Sequence, residues 1–243
     1  MPRYYLNRSG TTVRLAGGAG LNISAGGGFA TPDILNNASF ETDFDGFHDG
    51  ASGTTLIAAT RTNAQAFSGS WSVTRSWSSG SDVESQLFYN ISNPTHFFAR
   101  TYFRLTALPN GGGFKIFRFV DGGYSTYNGM QMEPFGTRWI WVGGSAENQI
   151  ALTDTVIPAD SAWHYVEFEF DQTNKIIRMW QDGTAMGSGG TPDAGLSWTG
   201  NDLHYTSAPP PDRLDLIRII NARTNSGSIF IDRVAVSTQR IGP

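Results

Sequence analysis

Residues 163–183, WHYVEFEFDQTNKIIRMWQDG, narrow the choice of local structure more than any other stretch of the chain. Phe168 and Phe170 sit between Glu167, Glu169 and Asp171, the two-residue period of a strand with one dry and one wet face. Placing a turn at Thr173-Asn174 sets Phe170 against Ile177, Glu169 against Arg178, Phe168 against Met179 and Glu167 against Trp180. A slip of one residue would set Phe168 against Arg178 and Glu169 against Ile177, so the pattern selects its own register. The expectation is an antiparallel hairpin that ends at Asp182-Gly183. One face is apolar and the other carries a Glu169–Arg178 pair.

Besides WHYVEFEF and KIIRMWQ of this stretch, six further runs have the same character: SWSVTRSW, HFFARTYFRL, FKIFRFV, TRWIWVGG, DLIRIIN and SIFIDRVAVS. Gly, Asn, Asp and Pro separate them, and no amphipathic helix of ten residues or more is visible. With 29 glycines and 13% aromatic residues, such a chain turns often and fills its core with rings. The expected class is all-β, a two-sheet antiparallel sandwich. The body spans 33–243, behind an extended Gly-rich arm at 1–32. A lone hairpin in that arm, turning at Ser9-Gly10, is marginal in water, so docking onto another chain is its functional reading.

Charge excludes several roles. The net charge is −4, Lys occurs only at 115 and 175, and no Lys/Arg run exists to hold nucleic acid. Without cysteine, disulfides and thiolate metal sites are excluded. No segment approaches the ~20 apolar residues of a membrane helix. MPRYYLNRSG lacks the apolar stretch of a signal peptide, so cytoplasmic synthesis without general export is expected. The GxSxG, HExxH and Walker patterns are missing, and the histidines at 48, 96, 164 and 204 are scattered. His164 is expected to be a satisfied core residue.

Candidate site residues each have two readings. Trp139 and Trp141 alternate on one strand, as a sugar-stacking platform or as core. Arg100, Tyr102 and Arg104 share one strand face and either hold an acidic sugar or line an outer sheet. Residues 182–213 look irregular, and Trp198 and Tyr205 within them either stack on sugar or pin the loop. ETDFDGFHDG gathers Glu41, Asp43, Asp45 and Asp49, hard oxygen ligands of the kind Ca²⁺ takes. In the opening hairpin, the Glu169–Arg178 pairing would keep that acid ionised and unfit to donate a proton.

SFETDFDGF, HFFARTYFRLTALP with FKIFRF, WHYVEFEFDQTNKIIRMWQDG and SIFIDRVAVSTQRIG together resemble the concanavalin A-like lectin/glucanase superfamily, over roughly 35–240. The resemblance implies a jelly roll with one concave sheet, and a structural calcium between Glu41 and Asp232. It also places WHYVEFEFD on a strand other than the catalytic one of the laminarinase-like hydrolases. The lyase-like branch is poorly matched. SDVESQ lacks the Arg two residues before Glu84, and in GMQMEP Glu133 follows Gln131 where a His would be. The arm and the lack of a catalytic set resemble bacteriophage virion accessory proteins, capsid decoration or fibre components. The implied function is a non-enzymatic, lectin-like binding protein exposed on a virion or cell exterior. Residues 1–32 would meet a capsid or tail protein, and the body would bind a polysaccharide or a second copy of itself. The alternative is a polysaccharide lyase or glycoside hydrolase acting in the concave sheet.

Overall fold

A computed structural model describes residues 13–14, 20–21, 32–50, 59–78, 85–110, 114–121, 126–132, 136–145, 148–206, 211, 213–219 and 225–243. Among these there is no helix, and two antiparallel sheets form a jelly-roll sandwich. The seven-stranded sheet runs, in spatial order, Gln149–Val156, Arg138–Ser145, Thr126–Met132, Phe114–Val120, Arg213–Ile219, Ser85–Asn90 and His48–Gly50. The ten-stranded sheet is centred on Trp163–Asp171, His96–Leu105 and Gly227–Ser237, with Ile176–Gln181 beyond the first and Ser72–Trp77 beyond the last.

The opening hairpin has the register its alternation demands: Asp171↔Ile176, Phe170↔Ile177, Glu169↔Arg178, Phe168↔Met179 and Glu167↔Trp180. Its dry face meets the other sheet. Phe168 stacks on Phe119 at 5.3 Å between ring centroids, and Phe97 lies 4.7 Å from Phe119. Each such ring contributes about 1.5–3 kcal/mol by leaving water.

One expectation is corrected and another lies outside the described residues. Residues 182–213 are not without structure, because Ser197–Thr199 and Asp202–His204 pair and extend the ten-stranded sheet past Ile176–Gln181. The arm at 1–32 lies outside the described residues except for Pro32 and the short pair Val13–Arg14 with Gly20–Leu21.

One irregularity positions the site described next. The pairing of Phe114–Val120 with Thr126–Met132 shifts between Met130 and Gln131, so Met130 faces Phe117 but Gln131 faces Lys115. Ile116 and Phe117 consequently both join the core. This β-bulge returns Lys115 to the outer face, the same face as Arg118 three residues on. Gly129, opposite Arg118, permits the close approach there: a Cβ on it would lie 2.5 Å from the Phe117 carbonyl oxygen.

Candidate functional site

The outer face of the seven-stranded sheet carries polar side chains at its centre. Phe88, Asp215, Arg118, Gly129 and Val142 are successive cross-strand neighbours, and Arg213, Val120, Tyr127 and Gly144 form the adjoining row. These side chains point away from the main core, yet Asp215 is 0% exposed, and Lys115, Arg118, Gln131 and Arg213 are buried. Val120, Ile140 and Val142 are also buried while lying outside the core cluster. The centre of this face is therefore a covered floor with an apolar flank and a charged cluster, while Phe88 and Tyr127 remain half-buried.

Asp215 organises that centre. Arg118 Nη1 donates to its Oδ2 at 3.2 Å and Arg213 Nη2 donates to the same oxygen at 3.0 Å. Arg213 Nε also lies 2.6 Å from Oδ1, close in distance but poorly aligned as a hydrogen bond. Each guanidinium is backed by a ring as well: Arg118 sits 4.2 Å from the Tyr127 centroid and Arg213 5.1 Å from that of Phe88. Cation–π contact and ion pairing thus hold both arginines in place.

The residues singled out from sequence lie elsewhere. Trp139 and Trp141 face the interior and are 0% and 1% exposed, so neither ring has a face for a sugar. Trp139 Nε1 donates to Gln181 Oε1 at 2.7 Å. Arg100, Tyr102 and Arg104 share the outer face of the opposite, ten-stranded sheet. Arg100 is buried and donates to the Gly242 carbonyl at 2.9 Å and to Asn37 Oδ1, and burial lowers its pKa. Tyr102 is covered by Phe67, ring on ring at 3.7 Å, and Arg104 Nε donates to the Ser161 carbonyl. Tyr205 is buried, stacks on Phe170 and donates to the Asp171 carbonyl at 3.3 Å; burial pushes its phenol well above the usual range. Trp198 packs against the core. Trp198 and Tyr205 therefore pin the 182–213 segment to the body.

The carboxylate row of the opening hairpin divides into three separate tasks. Glu169 accepts from Arg178 Nη1 at 3.1 Å and contacts His96 Nε2 at 3.0 Å. Asp171 accepts from the Asn174 backbone and side-chain amides, which hold its carboxyl low although burial works the other way. His96, Glu169 and Asp171 do bring one ligand atom each within 4.8 Å of one another. Arg178 and Asn174 already engage those oxygens, so the group wires the hairpin and its turn. Glu167, opposite Trp180, receives the 240–242 segment, as described in the Discussion.

His164 is not a core residue as expected. Half-buried at the strand's start, it bridges Asp182 through Nδ1 at 2.7 Å and Asp160 through Nε2 at 3.1 Å. Burial opposes its charge, but the two aspartates outweigh burial and raise its pKa.

Glu41 and Asp232 grip one loop from two sides. Asp232 Oδ2 accepts from the Phe67 and Ser68 amides at 3.0 Å each, and Glu41 Oε1 accepts from Ser70 and Trp71 at 3.0 and 3.1 Å. Gly69, between them at φ +77°, brings the loop so near Glu41 that a Cβ would collide with its carboxylate. Asp43 and Asp45 serve local backbone amides: Asp45 accepts from Ser39 and Phe40, and Asp43 from Asp45.

No protein-family model and no curated protein matches the sequence. Solved structures do share the architecture. The cellulose-induced protein Cip1 superposes with a TM-score of 0.64 at 12% identity, covering 85% of this chain and 99% of that one. A conserved carbohydrate esterase from the Shiga toxin-encoding bacteriophage phi24B gives 0.52 at 15% identity, over 87% and 100% of the two chains. A sialidase gives 0.57 at 11% identity, with 86% of this chain matching 19% of that one. At these identities the likeness establishes a shared β-sandwich fold.

Proposed function

We propose that this chain is a non-enzymatic glycan-binding jelly roll of the concanavalin A-like kind, and that its ligand lies along the outer face of the seven-stranded sheet. The carrying observation is the floor itself. Tyr127 and Phe88 are only half-buried, so each ring keeps an open part above the buried polar side chains, and open rings beside a few fixed polar groups are what a sugar-binding surface offers. The one described carboxylate of its central cluster is clasped by two guanidiniums, so its oxygens are already engaged by the protein itself. Similarity of fold to a phage carbohydrate esterase and to Cip1 supports the reading at the level of architecture. Residues 1–32 dock the body onto a capsid or tail protein of a virion, a role supported by their glycine-rich composition.

The test is affinity electrophoresis of the full chain through gels containing a panel of polysaccharides. At least one polysaccharide should retard the protein, and Tyr127→Ala should weaken that retardation about tenfold, the loss of one aromatic contact in a small site. Phe67→Ala should leave it unchanged. Phe67 is 42% exposed and offers an alternative aromatic platform on the ten-stranded sheet. If no polysaccharide is retained, or if Phe67→Ala abolishes retention and Tyr127→Ala does not, the assignment of this face is wrong.

A structural calcium at Glu41 and Asp232 belongs to the same proposal. The donors would be hard oxygens of two carboxylates that flank the 67–71 loop, whose amides they accept from now, and Asp232 is 0% exposed with its pKa raised by burial, so a cation beside it would offset the cost of its charge. Millimolar calcium should raise Tm by several degrees, as expected for a ligand that binds only the folded state, and Glu41→Gln should remove that increment. An unchanged wild-type Tm would leave the two acids as loop anchors alone.

A further inference from the structure

We propose that His164 closes a pH-sensitive clasp: as an imidazolium it ties two turns at one end of the ten-stranded sheet, and it releases one of them when it loses its proton. Nδ1 faces Asp182 Oδ2 at 2.7 Å and Nε2 faces Asp160 Oδ1 at 3.1 Å. A neutral imidazole has one N–H and one bare nitrogen, so it donates to one of these acceptors and turns a lone pair on the other. Only the imidazolium donates from both nitrogens. Among the described residues no other charged group faces the ring. Phe103 lies across from it on the neighbouring strand, with ring centroids 6.0 Å apart, and Trp163, Arg104 and Tyr165 project from the opposite face. Burial opposes the charge, and the two carboxylates outweigh it.

Both ends of the clasp sit on backbone that needs holding. Ser161, next to Asp160, has φ +64°, and Asp182 itself has φ +49° before Gly183 at +82°. Left-handed backbone is unfavourable for a residue with a side chain, so such turns persist where their surroundings fix them. Asp160 Oδ1 also accepts from the Ala162 amide at 2.9 Å, and Asp182 Oδ1 accepts from the Tyr165 amide at 3.0 Å. The first turn reaches a third strand: Ser161 N donates to the Leu105 carbonyl at 3.2 Å, and the Ser161 carbonyl accepts from Arg104 Nε at 2.7 Å. One proton therefore ties the ends of His96–Leu105, Trp163–Asp171 and Ile176–Gln181. The folded pKa of His164 lies above the unfolded one. The stabilisation is thus complete below the ordinary histidine value of about 6.5 and is lost as pH rises through the higher folded value. Asp160, held low by the Ala162 amide and by His164, stays ionised throughout that window.

The experiment follows the His164 ring protons of the full chain by NMR from about pH 5 to about pH 9, a span that brackets the ordinary histidine range. His164→Gln assigns the signal. In wild type His164 should titrate above the ordinary value, and Asp182→Asn should lower its proton affinity about tenfold, or one pKa unit. Asp182 is the closer and less exposed arm, its side chain 43% exposed against 58% for Asp160. Asn at that position removes the charge and keeps the turn, because it tolerates left-handed backbone and its carbonyl still accepts from the Tyr165 amide. Melting curves read the linked effect. Over the same span the wild-type Tm should fall by about 2–4 °C more than that of His164→Gln, which has no titrating group at this position. A His164 that titrates at or below the ordinary value, an unmoved titration in Asp182→Asn, or parallel Tm curves for wild type and His164→Gln would each overturn the clasp.

Discussion

Replacing Asp215 by Ala should cost about 3–5 kcal/mol of folding stability, the typical penalty for removing one partner from a buried ion cluster. Asp215 is 0% exposed and holds Arg118 and Arg213, whose side chains are 7% and 10% exposed. Its removal leaves two guanidiniums side by side with water largely excluded. The Coulomb attraction that offset their desolvation becomes repulsion. Urea unfolding reads the effect as a lower midpoint with an unchanged slope. The companion variant replaces Asp215 by Leu together with Arg118→Met and Arg213→Leu. It should recover most of the loss, because well-packed apolar groups of similar volume commonly match or exceed a buried ion cluster in stability. It should also lose the polysaccharide retardation proposed for this face. A single-variant loss below about 1 kcal/mol would mean that the cluster is solvated, and the floor would then be less enclosed than its burial indicates.

That pair of variants separates stability from function. The cluster is an inefficient way to stabilise a sheet face, so its loss should be recoverable by well-packed apolar groups. The fold itself is stabilised between the sheets, by the ring stack of Phe97, Phe119, Phe168 and Phe170.

The hairpin at 163–181 was legible because each of its positions has one suitable partner and alternation alone chooses among registers. The strands at His96–Leu105 and Phe114–Val120 were legible for the same reason. The charged floor was not. Lys115 and Arg118 are three residues apart, and alternation puts such residues on opposite faces. Only the bulge at Ile116-Phe117 reunites them, and apolar patterning does not mark it. Arg213 and Asp215 share a face by their own spacing, but 213 stood at the end of a stretch that looked irregular. A signal was present all the same: charges at 115, 118, 213 and 215 interrupt strands that are otherwise almost wholly apolar. Trp139 and Trp141 misdirect for a related reason. Both faces of Arg138–Ser145 are buried, so alternation of rings says nothing about which face meets solvent.

The acid at 167 gives the second large effect. Glu167→Ala should destabilise the protein by about 3 kcal/mol and release the segment 240–242 from the ten-stranded sheet, because it removes a buried charged acceptor from three donors at once. Glu167 is 0% exposed. Its Oε1 accepts from the Ile241 and Gly242 amides at 2.8 and 3.1 Å, and its Oε2 from Arg240 Nε at 3.1 Å. Arg100, its cross-strand neighbour, donates to the Gly242 carbonyl, so amides and carbonyl of one short segment are gripped by adjacent strands. Above them Arg240 lies over the Trp180 ring at 4.4 Å, and Ile241 packs with Phe98, Trp180 and Ala235 in a small apolar cluster of its own. This explains why an acid sits opposite a tryptophan on a face where neither meets water: the returning chain covers both. Hydrogen exchange is the direct measurement. In wild type the Ile241 and Gly242 amides should be protected to nearly the same degree as the Trp163–Asp171 strand. In Glu167→Ala they should exchange far faster, while the Phe168 and Phe170 amides change only by the global loss. Glu167→Gln should fall between the two, because its carbonyl still accepts from one amide but no longer offsets the charges of Arg100 and Arg240. Protection at 241 and 242 that survives in Glu167→Ala would show that the apolar cluster alone holds the segment.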